Sequence, residues 1–208
     1  MKKMLILGAI VSALGAGSLS AGTIAVAPTS IIDNNLVPNT QSFVTGWAFT
    51  TTTALNVVAL DYYDQAQNGL LTSHTVGIYS STGTLLVSAT IPSGTAGGLN
   101  GVYRDVAIPT FALGPGSYVI AGTSAATPVA NTADPIIVFG TGTPIAGLTI
   151  GTPALYAFAA GLVFPTAQAS GLQYFNANFE VGPIPEPATY GMVLSALAAF
   201  VARKRMRS

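Results

Sequence analysis

Tyr174-Phe175-Asn176-Ala177-Asn178-Phe179-Glu180-Val181 alternates without a slip. Phe175, Ala177, Phe179 and Val181 fall on one side of an extended chain, and Tyr174, Asn176, Asn178 and Glu180 on the other. A period of two sustained over such a stretch marks a β-strand with one buried face, because a helix would scatter the same apolar positions around its circumference. The pattern recurs upstream. In 84–91, Leu85, Val87, Ala89 and Ile91 share one face with Ser88 and Thr90 opposite, and Ser81-Thr82-Gly83 joins this segment to 74–80 as a hairpin.

Further strands read at 102–108 and 117–122, linked through Leu113-Gly114-Pro115-Gly116. Gly46-Trp47-Ala48-Phe49 leads through the β-branched run 50–53 into 54–63. Apolar residues occupy both parities of that last segment, as in a strand covered on both faces. From 123 to 171 the chain is rich in Ala, Thr and Pro, and strands are expected at 136–139 and 154–160. No helical period appears before the C-terminal tail. The fold class is therefore all-β, a jelly-roll-like β-sandwich of about ten strands over residues 22–182.

Charged residues make up only 7% of the 208, and they are unevenly placed. Lys2 and Lys3 stand at the start, and Arg203, Lys204, Arg205 and Arg207 at the end. Arg104 alone remains within 22–182, against Asp33, Asp61, Asp64, Asp105, Asp134 and Glu180, which leaves that segment at −5. Such a body lacks the clustered Lys and Arg that nucleic acid or anionic lipid requires. There is no cysteine, which excludes disulfides, thiolate metal sites and cysteine nucleophiles. Met1-Lys2-Lys3, the apolar run 4–17 and the small residues Ser18-Leu19-Ser20-Ala21 form a secretory signal sequence over 1–21. It is expected to engage the Sec translocon and to be cut by signal peptidase after Ser20 or Ala21.

Candidates for chemistry in the body are few. His74 is the only histidine, and strand parity places it with Val76 and Ile78 at the start of an inward row. It is either a hydrogen-bonding lid on the core or the one available general base. No G-x-S-x-G, H-E-x-x-H or phosphate-cradling glycine loop is present. Asp61 and Asp64, with Asn68 and loop carbonyls, could supply hard oxygen ligands for Ca2+, or they are exposed acids of a turn. Arg104 and Asp105, on opposite strand faces, read as surface chemistry. Trp47, Tyr62, Tyr63, Tyr79, Tyr103 and Tyr118 could stack on sugars or fill an ordinary core and rim.

Ala59-Leu60-Asp61-Tyr62-Tyr63-Asp64, Asn68-Gly69-Leu70 and Ser73-His74-Thr75-Val76-Gly77-Ile78-Tyr79 resemble a family of uncharacterised bacterial β-domains. In that family a strand ending in aspartate precedes a G-L-x-x-S-H-x-V-G-[IL]-[YW] hairpin. The likeness runs over 44–123, through Gly83-Thr84-Leu85-Leu86, Val102-Tyr103-Arg104 and Pro115-Gly116-Ser117-Tyr118-Val119. It implies a β-fold in an extracellular setting, with His74 and Asp64 as family features.

The tail carries a second resemblance. Pro185-Glu186-Pro187 is followed by an apolar helix over 188–202 and by the basic end at 203–207. As a helix that segment spans about 22 Å, short of a hydrocarbon core of about 30 Å. Tyr190 outside and the basic cluster inside would hold it across the membrane. Prolines 183, 185 and 187 keep the preceding peptide extended. The arrangement over 183–208 resembles the PEP-CTERM sorting signal, with Ile184 and Tyr190 where the family usually has Val and Trp. The resemblance implies recognition by exosortase, a membrane-embedded processing enzyme of Gram-negative bacteria, and release to the cell surface or matrix. The expected protein is exported, non-enzymatic, transiently held in the inner membrane and associated with exopolysaccharide or biofilm. The alternatives are a carbohydrate-binding module or adhesin and, further off, a polysaccharide hydrolase using His74, Asp61 and Asp64.

Overall fold

The computed structural model describes residues 22–35, 41–126, 134 and 136–183, with the backbone alone for 31–35 and 136–138. The expected signal sequence lies outside the described residues. So do Pro185, Glu186, Pro187, the expected helix, and Arg203, Lys204, Arg205 and Arg207. Among the described residues every regular element is a strand. They are β1 (Thr23–Ile24), β2 (Val26–Asn35), β3 (Phe43–Thr51), β4 (Leu55–Tyr63), β5 (His74–Ser80), β6 (Leu85–Ile91) and β7 (Gly98–Asn100). There follow β8 (Tyr103–Leu113), β9 (Gly116–Ser124), β10 (Ile136–Pro144), β11 (Leu148–Ile150), β12 (Ala154–Phe158), β13 (Ala167–Ala169) and β14 (Ala177–Val181).

All pairings are antiparallel. One sheet runs β13-β12-β3-β9-β5-β6 with β11 also on β3, a second runs β1-β14-β4-β8-β7, and β2 pairs with β10 as a separate ribbon. The two large sheets meet through rings on facing strands. Trp47 and Phe49 of β3 lie 6.2 and 5.2 Å from Phe179 of β14, and the Trp47 indole N–H donates to the Ala177 carbonyl at 2.9 Å. Val57, Leu60, Ile78 and Ile120 complete this core, each fully buried. Each such side chain contributes roughly 1.5–3 kcal/mol.

Two expectations need correction. The polar side of β14 does not face water: Asn176 and Asn178 are 0% exposed and Glu180 is 3% exposed. The chain from Gly22 onward covers them, with β1 pairing to β14 and Asn178 Nδ2 donating to the Val26 carbonyl at 2.7 Å. Alternation reports two unlike faces, and a polar face satisfied by buried amides looks the same in sequence as a solvated one. Leu85 also departs, at 47% exposed, because a register shift against Ile78 and Tyr79 turns it to the opposite face from Val87. That outer face has its own small cluster of Val44, Tyr79, Val119 and Ala121, capped by Leu162 and Phe164.

Candidate functional site

His74 begins β5 on the inward row, where it is fully buried and stacked on Tyr62 of β4 with ring centroids 3.6 Å apart. Its Nδ1–H donates to the Thr123 carbonyl at 2.6 Å, and Nε2 lies 2.8 Å from Asp134 Oδ2. Asp134 also accepts from the Leu71 and Thr72 amides, each at 3.0 Å, and from the Thr72 hydroxyl at 3.3 Å. Burial alone would push the Asp134 carboxyl up. The hydrogen bonds from His74, Leu71 and Thr72 and the imidazolium charge outweigh it and hold the carboxyl below its ordinary range. Nδ1 is taken by a carbonyl and Nε2 by the carboxylate, with the Thr72 hydroxyl 3.4 Å from Nε2, so both ring nitrogens are engaged in a buried pair with Asp134. Neither nitrogen is left to take a proton from a nucleophile, as general-base catalysis requires. Beside the ring, burial pushes the Tyr62 hydroxyl up, with Ser124 pulling back and Asp134 adding to the rise.

Arg104 is not surface chemistry. It is 5% exposed, and its Nε–H donates to Asp64 Oδ2 at 2.9 Å while its Nη2 donates to the Gln67 carbonyl at 2.9 Å. Asp64 Oδ2 also accepts the Gly69 amide at 2.9 Å, so the carboxylate closes the loop that follows β4.

The three expected Ca2+ ligands do not come together. Asp64 is taken by Arg104 and Gly69, Asn68 is exposed at the loop tip, and Asp61 points to the other side of β4 from Tyr62. There Asp61 is fully buried with no hydrogen-bond partner on either oxygen. Burial first, then the nearby charges of Glu180 and Asp105, push its carboxyl well up. Burial raises Glu180 too, against the hydrogen bonds from Asn100 and Gly22 and with a push from Asp105, and burial raises Asp105 against its own amide and the Arg104 charge. Among the described residues, no three His, Asp or Glu side chains are arranged to hold a metal ion.

The outer face of the larger sheet carries a groove of about 480 Å³ between 117–119, 149–153 and the segment leading into β13. Thr50, Ser117, Thr149, Thr166 and Gln168 line it with hydroxyl and amide groups, and Phe164 supplies ring surface. No acid or base other than the Tyr118 phenol lines it, and that hydroxyl donates to the Gly114 carbonyl at 2.9 Å. Of the aromatics considered from sequence, Trp47, Tyr62 and Tyr103 are 0% exposed and belong to the core.

Asp134 is the residue that sequence reasoning missed. It lies where no alternation marks a strand, yet it is the only charged side chain between Asp105 and Glu180. In so neutral a stretch an isolated acid signals a buried partner, and the one histidine was available.

No curated protein and no solved structure matches the chain. Residues 30–176 match the model of the family described as Domain of unknown function (DUF4082), and since this is well over half of the chain the protein belongs to that family.

Proposed function

We propose that the protein is an exported, non-catalytic component of the cell surface or extracellular matrix of a Gram-negative bacterium. In this reading a jelly-roll-like sandwich leaves the cytoplasm behind its leader, is held briefly in the inner membrane, and is then processed by exosortase. The observation that carries the reading is the ordered tail of Pro185-Glu186-Pro187, apolar segment and basic end. The body is in keeping with it, because its one histidine and one arginine are both committed to buried ion pairs. Replacing Pro185, Glu186 and Pro187 with alanine in the native host should leave full-length protein in the inner membrane. Maturation unchanged from wild type would sink the reading.

The groove favours a second role for the same domain, binding of an uncharged polysaccharide. A ring face and hydroxyl-bearing side chains without acids or bases suit neutral sugars better than charged ligands. The expected result is retention of the protein on a neutral matrix polymer, weakened about tenfold by Phe164→Ala, since loss of a ring contact of about 1.4 kcal/mol changes a binding constant by that factor. Equal retention of the variant would remove the groove from the account.

A further inference from the structure

Between Gly22 and Pro183 the sequence holds two side chains able to carry positive charge near neutral pH, Arg104 and His74. Arg104 is committed to Asp64 and His74 to Asp134. A third set of acids has no such partner. Asp61 of β4 stands in register opposite Asp105 of β8 and, on its other side, Asn178 of β14, with Glu180 two residues further along β14. Asp61 is 0% and Glu180 3% exposed, and neither Asp61 oxygen receives a hydrogen bond. Carboxylates removed from water in this way require a proton or a counter-charge. No remaining side chain of 22–183 can supply the charge, and no ready metal cage is present among the described residues.

The main chain can supply it. Gly22 sits on this cluster, with its amide donating to the Glu180 carboxylate. Asn100 Nδ2 donates both to the Gly22 carbonyl at 3.0 Å and to Glu180 Oε1 at 2.8 Å, so one side chain orients residue 22 and the acid together. A Cβ on residue 22 would lie 2.7 Å from Glu180 Oε2 and 3.0 Å from Val58 Cγ2. The seat is shaped for glycine.

We propose that hydrolysis of the Ala21–Gly22 bond supplies the missing cation: the new α-ammonium group of the half-buried Gly22 forms an ion pair with the buried Glu180 carboxylate and fastens β1 to β14. The inference rests on the reading that 1–21 is a leader removed on export. Water adds its hydroxyl to the Ala21 carbonyl carbon, the C–N bond breaks, and the nitrogen gains one proton from that water and a second from solvent. Free α-amino groups titrate at about 7.7–8.0, so this one is charged at neutral pH, and a carboxylate partner extends its charged range upward. Before cleavage the same nitrogen offers Glu180 a single neutral hydrogen bond. Leader removal thereby strengthens the closure of the sandwich, and the fold gains this ion pair only in the compartment where the leader is cut.

The test has two arms. In the first, the exported protein is recovered and its first residue determined: Gly22 is expected, and Ala21 or any other start, Met1 included, overturns the proposal. In the second, the chain from Gly22 to Ser208 in detergent, released from a fusion by a site-specific protease, is compared with one carrying Ala21 as an extra first residue. The extension should lower Tm by roughly 2–4 °C, the shift that 1 kcal/mol makes in a domain of this size. It should also restore acylation of the amino terminus by acetic anhydride at pH 7 to the rate of the unfolded chain. In Glu180→Gln the two chains should melt and react alike; if that variant does not fold, the wild-type pair decides. Equal Tm and equal acylation of the wild-type pair would overturn the ion pair. A Gly22 start with that result would leave the export reading standing, whereas an intact Met1 would sink both.

Discussion

Asp134 and His74 show how much one buried pair can define in a nearly uncharged molecule. The ring is held between Tyr62, Thr123 and Asp134, so β4, β5, β9 and the segment before β10 are joined at a point. Asp134→Asn removes the charge and leaves the imidazolium buried, which costs about 3–5 kcal/mol. Denaturant unfolding at pH 7 should show that loss. Because the folded-state carboxyl lies below its ordinary range, the pair's contribution is full above the unfolded value of about 3.9 and disappears as pH falls through the lowered folded value. The gap between wild type and variant should therefore narrow in strong acid, and a gap unchanged there would contradict the assignment. His74 was legible as a core lid from its parity with Val76 and Ile78. Its partner was not, because a single acid in an aperiodic segment carries no spacing to read.

At the scale of elements, strict alternation located β14, and apolar residues on both parities marked β4 as covered on two sides, as the unbroken burial of 59–63 shows. The N-terminal strands and the identity of the layer over β14 were not legible, since strand pairing across more than a hundred residues leaves no local pattern. The register shift that exposes Leu85 escaped for a similar reason, because one extra residue changes which face a side chain takes without changing composition. Close approach of strands is easier to test. A Cβ on Gly46 of β3 would lie 2.1 Å from the Ile120 carbonyl and 2.9 Å from the Ala121 Cα on β9, both backbone atoms that cannot step aside. Gly46→Ala should destabilise by the upper part of the roughly 1–3 kcal/mol typical of overpacking, or more. Gly161→Ala, where nothing lies within 4 Å, is the control and should stay near wild type in the same chemical denaturation. Equal stability of the two would mean that β3 and β9 are not in this register.

Across the whole molecule, charge is divided by position along the chain. Basic residues gather at the two ends, and the body retains one arginine and one histidine, each matched to a buried acid. Glu180, with Asp61 and Asp105 near it, stands at the point where the mature chain would begin. This division is what an exported domain with a removable leader and a removable basic tail would show, and it links the two ends to the fold between them. The intact mass of the protein recovered from outside cells of its native host tests that account most directly. The account predicts a chain that begins at Gly22 and has lost the basic end at 203–207. A mass that includes residues 1–21, or a chain retained in the inner membrane and still ending at Ser208, would contradict it.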